Sequence, residues 1–357
     1  MAVQARIAVL PPQRRDLVLH EVNLLPGPYE VVVQQQAFGV CHSQLDRIFD
    51  DNRTTPMVLG HESTGTVAAV GSRVTYVQPG DPVVVTWIPR TPLQGRRPAP
   101  TAVALSDGQI ATTHNTFTWG THALVDEQYV VKTAADLSPD LGAIIGCALM
   151  TGAGAVMNTA AVRAGQSVAV WGTGGVGLCA VAAASILGAA PIIAVDIDDD
   201  KLKLARHFGA TDVVNASAVD PVEAILDRTP HADGTRGVDI GLDCTGLGAN
   251  IPISLAAVRP GVRGAGIRGG ADILVGIPRV PFQLDSFDLL NGEKSLIGCV
   301  GGSCDPVRDF ATFTAWVADG RFDASALVTG RYRLDDLDKA VDDLHAGRVG
   351  GRAVVEL

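Results

Sequence analysis

The amino-acid sequence predicts an α/β fold with two domains, and three of its features lead to this prediction. In the second half of the 357-residue chain, apolar strands alternate with helical segments, which is the pattern of a parallel sheet. In the first part, short strands are separated by glycine and proline, as in antiparallel barrel-like domains. A glycine-rich turn joins a strand to a helix near the middle. We expect residues 1–148 and 300–357 to form a β-rich domain and residues 149–299 a parallel-sheet domain.

A strand, a glycine-rich turn, a helix and a second strand follow one another between residues 166 and 196. The apolar run 167–171 is the first strand, and the helix extends from about Gly177 to Leu187. The second strand, residues 192–195, leads directly to Asp196, about 20 positions after the last glycine of the turn. This order of elements predicts a Rossmann dinucleotide-binding domain.

The turn itself has the sequence G-T-G-G-V-G, which suits a bound pyrophosphate. Gly172 permits a tight turn, Gly174 lets the phosphates approach the backbone, and Gly177 lets the helix pack closely on the sheet. The start of the helix adds unpaired N–H groups and the positive end of its dipole. We therefore predict dinucleotide binding; the alternative is that the glycines serve only packing.

The acid after the second strand indicates which dinucleotide is bound. Asp196 can accept hydrogen bonds from the ribose hydroxyls of the adenosine. A 2′-phosphate at the same place would meet Asp196 and the acidic run 198–200, and Lys201 follows where an arginine would favour NADP. The sequence therefore predicts NAD as the coenzyme.

Charge and hydropathy exclude several classes of partner. With 28 basic and 38 acidic residues the net charge is −10, so no basic surface for nucleic acid is expected. No polybasic run indicates a membrane surface, and the N-terminus does not have the pattern of a signal peptide. The apolar stretch 178–195 is interrupted by Gly188 and Pro191, so we interpret it as a buried helix followed by a buried strand. We expect a cytoplasmic protein with small-molecule partners.

Further strands are predicted in both domains. Six parallel strands would complete the second domain, and a last strand, Arg352–Glu356, would return to the first. Residues 89–118 are rich in proline, arginine and threonine with little periodicity, so we interpret them as a long surface loop or lobe. The other predicted strands are 31–37, 65–71, 83–86, 212–214, 238–243, 273–276 and 296–300.

The six cysteines are too far apart in this long chain to suggest a disulfide framework. Cys41 follows a strand, His61 begins another, and Cys147 precedes a glycine-rich segment. Two thiolates and one imidazole can form a zinc site with an open fourth position. From spacing alone, two small buried cysteines and a hydrogen-bonded core histidine remain an open alternative.

The chain resembles the medium-chain, zinc-dependent alcohol dehydrogenases over nearly its whole length. The motifs that carry the resemblance follow in the family's order: G-V-C-H-S, G-H-E, G-C, G-T-G-G-V-G, V-D-I and G-A-T-D-V-V-N. The resemblance implies a GroES-like catalytic domain beside the Rossmann domain, one catalytic zinc per chain, and NAD. It also implies that an alcohol and its aldehyde or ketone are interconverted by hydride transfer, in a homo-oligomer of two or four chains.

The resemblance also implies roles for particular residues. Cys41, His61 and Cys147 would bind zinc with Glu62 behind it, and Ser43 would contact the substrate oxygen and pass on its proton. The position of His42 is often a cation near the coenzyme pyrophosphate. The implied coenzyme contacts are His42, Gly172, Gly174, Gly175, Val176, Gly177, Asp196, Lys201 and, with a spacing that differs by one residue, Arg352.

Three departures from the family pattern matter. No cysteine lies between Cys41 and Cys147, so we expect no structural zinc and a lobe held by packing. Gln44 stands where an aspartate usually lies behind the zinc, and an amide would raise the basicity of the ligand less. Asp46 stands where some members end a proton relay with a histidine.

Two alternative functions, and the roles of two tryptophans, are left open at this point. A zinc-independent NAD(P)H reductase of the same fold and a nucleotide-binding protein without turnover are the alternatives, which the three ligands and Ser43 disfavour. Trp87 and Trp119 either line a pocket for an apolar or aromatic alcohol or belong to the core.

Overall fold

A computed structural model of the protein describes residues 2–92 and 96–357, and it separates into two units. The first unit comprises Met1–Cys147, Asp305–Ala315 and Ala324–Leu357, and the second comprises Ala148–Cys304 and Trp316–Asp323. The second unit thus includes 300–304 and 316–323, which the predicted domain boundaries give to the first.

The N-terminal part of the first unit consists mainly of strands. Its long strand β3 pairs with β5 on one side along most of its length, and with β9. The elements are β1 (Val3–Leu10), β2 (Val18–Leu24), β3 (Glu30–Val40), α1 (His42–Ile48), β4 (Met57–Val58), β5 (Ser63–Val70), β6 (Pro82–Val85), β7 (Ala102–Ala104), β8 (Ile110–Thr112), β9 (His122–Asp126), β10 (Val130–Lys132) and α2 (Pro139–Ile144).

The second unit contains a six-stranded sheet in which every strand is parallel to its neighbours, as predicted. The strand order is β13-β12-β11-β14-β15-β16, so the direction of winding reverses beside β11, where ligands bind in such sheets. The elements are α3 (Met150–Gly154), β11 (Val168–Trp171), α4 (Gly175–Ile186), β12 (Ile192–Asp196), α5 (Asp199–His207), β13 (Asp212–Asn215), α6 (Pro221–Arg228), β14 (Ile240–Asp243), α7 (Asn250–Ala256), β15 (Ala271–Leu274), α8 (Ser286–Asn291) and β16 (Ser295–Gly298).

The C-terminal segment returns to the sheet of β3, as predicted. Its last strand runs antiparallel to β3, with Ala353 opposite Val40. The first unit therefore has a five-stranded sheet, β2-β1-β4-β8-β7, and a seven-stranded sheet, β10-β6-β5-β3-β18-β17 with β9 on β3. The elements are α9 (Pro306–Ala318), α10 (Ala324–Leu327), β17 (Val328–Arg333), α11 (Leu337–His345) and β18 (Arg352–Glu356).

Two apolar stretches are long enough to raise the question of a membrane span. The stretch 178–195 is divided between α4 and β12, and both are buried, as predicted. Residues Pro139–Thr159 are helical throughout, with π-helical turns at Ile145–Leu149 and Ala155–Thr159. This helix could cross a membrane by length and composition, but 83% of its most apolar window is buried inside the protein. Such burial is typical of a core helix.

The interpretation of residues 89–118 as an irregular surface lobe was wrong for part of the segment. Strands β7 and β8 form an antiparallel hairpin, and β8 joins the first sheet beside β4. Val103, Ala111 and Phe117 belong to a buried core. Strands of three residues are too short to show a clear alternation, which is why the pattern did not predict them. Residues 93–95 of the expected lobe lie outside the described residues.

Contacts of Arg90 and Arg96 hold other parts of the segment 89–118 in place. Arg96 forms a two-point ion pair with Asp126 at 2.5 and 2.7 Å, and its guanidinium lies 4.1 Å from the ring centre of Tyr29. Arg90 lies 3.5 Å from the ring centre of Tyr76. Paired, partly buried guanidinium groups of this kind hold a segment with defined geometry. These contacts help to hold in place a segment that has no cysteine and was therefore expected to be held by packing.

Candidate metal centre and coenzyme site

The metal-donor residues predicted from the sequence lie together in the first unit. Within the described residues 2–92 and 96–357, one group of three or more potential metal donors is found, and it consists of Cys41, His61, Glu62 and Cys147. Their donor atoms all lie within 4.8 Å of one another, and the side chains are buried or half-buried. The structure thus brings together four side chains from three segments that are far apart in sequence, since His61 and Glu62 are consecutive.

Three chain segments with special backbone geometry deliver these donors. Cys41 follows β3 in an extended conformation, at the N-cap of α1. Gly60, with φ +94°, reverses the chain just before His61, in a region that favours glycine. Cys147 lies in the π-helical turn Ile145–Leu149, and such turns occur frequently at functional sites.

The distances among the donors fit a tetrahedral zinc ion. The two sulfurs, Sγ of Cys41 and of Cys147, are 3.9 Å apart, close to the edge of about 3.8 Å that Zn–S bonds of about 2.3 Å would give. Nε2 of His61 lies 3.2 Å from Sγ of Cys147. Two soft sulfurs and one imidazole are the donor set that zinc prefers. The residues present therefore fit the metal.

The electrostatics of the cluster favour a thiolate at Cys41. The hydrogen bond with Cys147 holds the pKa of Cys41 well below its ordinary value, and the positive charge of Arg352 and the contact with His61 act in the same direction. Burial opposes this effect. Because the thiolate is the form that binds metal, this lowering of the pKa favours metal binding.

Glu62 and Arg352 form a buried ion pair beside the cluster. The Glu62 carboxylate is fully buried and Arg352, the first residue of β18, is 5% exposed. Oε2 of Glu62 and Nε of Arg352 have no hydrogen-bond partner among the described residues. Arg352 is thus committed to Glu62 in this structure, and its implied contact with a coenzyme phosphate stays a prediction.

The structure separates the roles of the two tryptophans. The ring of Trp87 meets that of His61 edge to face, with centroids 6.4 Å apart, and its buried indole nitrogen has no hydrogen-bond partner in the part of the chain that the structure describes. Trp119 is fully buried in the core and donates to the carbonyl of Gly39 at 3.3 Å. Of these two tryptophans, Trp87 is thus the one in contact with a candidate metal ligand.

Helix α1 carries the other residues implied near the reaction. Ser43 is half-buried, with its hydroxyl 3.5 Å from Sγ of Cys41. Gln44 contacts His61, with Nε2 2.7 Å from Nδ1, and its Oε1 accepts a hydrogen bond from the N–H of Gly60 at 2.9 Å. His42 and Asp46 are exposed on the same helix. From the sequence, Gln44 was recognised only as a departure from the family pattern, whereas the structure shows that it contacts both His61 and Gly60.

The glycine-rich turn of the second unit has the geometry expected of a phosphate site. Gly172 adopts φ +82°, and a Cβ on Gly177 would collide with the carbonyl of Gly172. A Cβ on Gly174 would meet no atom of the described residues within 4 Å, so there is open space at this position. Helix α4 begins at Gly175, with Val176 in its first turn, and no side chain of the described residues caps its first N–H groups, which leaves those donors for an anion.

Asp196 lies at the end of β12, but its carboxylate is already occupied. Oδ2 accepts from the N–H and the hydroxyl of Thr173 at 2.7 and 3.0 Å, and Oδ1 accepts from the N–H groups of Ile197 and Asp198. A ribose would have to compete with these four donors for the lone pairs of the carboxylate. The hydrogen bonds from Thr173 to Asp196 were not predicted from the sequence. Lys201 is half-buried in the first turn of α5.

Comparison with known proteins places the whole chain in one family. The family description "Alcohol dehydrogenase GroES-like domain" matches residues 27–139, and "Zinc-binding dehydrogenase" matches residues 175–319. S-(hydroxymethyl)glutathione dehydrogenase of Paracoccus denitrificans is 31% identical, over 97% of this chain and 98% of the relative. Geraniol dehydrogenase of Castellaniella defragrans is 30% identical, over 98% and 96%.

A solved structure agrees with these matches. The crystal structure of benzyl alcohol dehydrogenase from Acinetobacter calcoaceticus superposes with a TM-score of 0.85 and 31% identity, over 99% of each chain. Together with the donor cluster and the Rossmann turn, these matches confirm the resemblance drawn from the motifs. The protein belongs to the medium-chain, zinc-dependent family of alcohol dehydrogenases, which interconvert an alcohol and its aldehyde or ketone with NAD.

Proposed function

We propose that Cys41, His61 and Cys147 hold the catalytic zinc and that the substrate is an apolar or aromatic alcohol with its aldehyde or ketone. The observation that carries the proposal is the convergence of these donors beside the indole of Trp87. An aromatic wall next to the reacting oxygen favours an apolar substituent over a charged one. The printed names of two relatives, geraniol dehydrogenase and benzyl alcohol dehydrogenase, are of this kind.

The residues of the chain supply positions and a proton path. Bound zinc would lower the pKa of the alcohol, and bound NAD would accept the hydride. Ser43 is our candidate for the group that takes the alcohol proton at its Oγ, because this hydroxyl lies at the Cys41 sulfur and is half-buried. The turn at Gly172–Gly177 and the start of α4 would hold the coenzyme phosphates.

The function is tested by metal analysis combined with an NAD-linked oxidation assay on a panel of alcohols. We expect about one zinc per chain and oxidation of benzyl alcohol or geraniol with formation of NADH. Cys147→Ala should lose both the zinc and the activity, because it removes one of three ligands. Cys179→Ala, a buried cysteine of α4 outside the cluster, is the matched control. Activity without zinc would favour the zinc-independent reductase, and full zinc without turnover would favour the non-catalytic nucleotide-binding protein.

Coenzyme choice is tested at Asp196. We expect NAD to be preferred over NADP by at least about tenfold in kcat/KM, on the order of 1.4 kcal/mol, because a 2′-phosphate would approach this carboxylate and the acids that follow it. Asp196→Ala should reduce the preference. Asp227→Asn, an exposed acid paired with Arg236, serves as the control. Equal kcat/KM with both coenzymes in the unmodified protein would show that the assignment is wrong.

The proton path is tested by comparing two residues of α1. Ser43→Ala should lower kcat for alcohol oxidation by about 10²-fold or more, which is the range of general acid–base effects. Asp46→Asn should have a much smaller effect, since this carboxylate is exposed on the helix. A Ser43→Ala enzyme with nearly full activity would mean that water takes the proton directly. A strongly impaired Asp46→Asn enzyme would move the exit of the relay to Asp46.

We also propose that the chain forms a cytoplasmic homo-oligomer. Strand β16 ends the six-stranded sheet, and exposed apolar side chains precede and follow it in the sequence: Phe287 is exposed by 73%, Leu290 by 76% and Val300 by 71%. Exposed apolar groups, together with an edge strand that has no second neighbour among the described residues, are typical of an interaction surface. Light scattering should give at least twice the chain mass of 37.1 kDa, and Leu290→Glu should reduce it. A single-chain mass for the unmodified protein would contradict the proposal.

A further inference from the structure

The side chain of Gln44 connects the backbone of Gly60 with the ring of His61. Its Oε1 lies 2.9 Å from the N–H of Gly60, and its Nε2 lies 2.7 Å from Nδ1 of His61. The other ring nitrogen, Nε2 of His61, lies 3.2 Å from Sγ of Cys147. Gly60 is buried, so its N–H has no access to bulk water as a substitute partner.

These contacts specify where the hydrogen of the His61 ring lies. A backbone N–H can only donate, so the amide of Gln44 must turn its oxygen toward Gly60 and its NH₂ group toward His61. Nδ1 of His61 must then accept. Because a neutral imidazole carries one N–H, the hydrogen lies on Nε2, where it points at the Cys147 sulfur.

This tautomer cannot bind a metal in the donor cluster. A metal held through Nε2 needs the lone pair of that nitrogen, so the hydrogen must move to Nδ1 and would face the NH₂ group of Gln44. Rotation of the amide relieves this clash of donors, but it turns NH₂ toward the N–H of Gly60 and leaves that buried donor unpaired. A carboxylate has no such conflict, since it accepts from both neighbours at once.

We propose that Gln44 is a positioning residue that holds His61 in the tautomer that does not bind metal, and that it thereby weakens zinc binding at this centre. The inference rests on the proposed assignment of Cys41, His61 and Cys147 as the zinc ligands. No net proton is gained or lost in the exchange of tautomers; the cost is the broken hydrogen bond of Gly60. The protein would therefore bind zinc more weakly, and release it more readily, than a chain with a carboxylate at position 44.

The test is the zinc affinity of the full-length protein, measured by competition with a chromophoric chelator. Gln44→Glu keeps the length of the side chain and should tighten zinc binding by about tenfold or more, in the range known for groups behind metal ligands. Gln44→Met removes the conflicting NH₂ group without adding charge, and it should also tighten binding, though less. Gln78→Glu, on the exposed surface, controls for the added charge.

A second readout reports the tautomer directly. In zinc-free protein labelled with ¹⁵N-histidine, long-range ¹H–¹⁵N spectra should show His61 protonated at Nε2, and Gln44→Glu should shift the hydrogen to Nδ1. Weaker or unchanged zinc binding in Gln44→Met, or a wild-type hydrogen on Nδ1, would overturn the inference. If Cys147→Ala bound zinc as well as the wild type, the proposed ligand assignment itself would fail, so the two failures are distinguishable.

Discussion

The structure of the first unit depends on the balance of charge among the buried side chains of the donor cluster Cys41, His61, Glu62 and Cys147. Two cysteine sulfurs, one imidazole and one carboxylate lie within 4.8 Å of one another, and negative charges so close together are costly to bury unless positive charge meets them. Arg352 provides such a charge at Glu62, and it also contributes to the low pKa of Cys41. A bound zinc ion would provide the remainder.

The return of the C-terminal strand to β3 helps to meet this requirement. Strand β18 completes the sheet by pairing with β3, and its first residue is Arg352. The same pairing that buries Ala353 and Val355 therefore delivers a guanidinium to the carboxylate of Glu62, 290 positions earlier in the chain. Strand β18 thus contributes both to the packing of the core and to the charge balance of the metal centre. Its removal would expose the core and would also leave the Glu62 carboxylate without its positive partner.

Much of the fold and part of the candidate site could be predicted from the sequence. The alternation of apolar strands and helices predicted the six parallel strands because such strands are buried on both faces and carry a strong signal. The hairpin of β7 and β8 was missed because its strands are too short for any periodicity. The contacts of Thr173 with Asp196 and of Gln44 with His61 were missed because they depend on tertiary geometry, which spacing does not encode.

The contacts that hold the segment around Arg96 do not depend on the redox state of the cell. The ion pair with Asp126, whose side chain is 5% exposed, and the stacking of arginines on Tyr29 and Tyr76 contain no sulfur. An oxidant or a chelator that reached the proposed zinc ligands Cys41 and Cys147 would therefore leave these contacts intact, because none of them involves a thiol or a metal ion. The packing of this segment and the proposed metal centre thus depend on different chemistry, ion pairing and aromatic stacking in one and thiol ligation in the other.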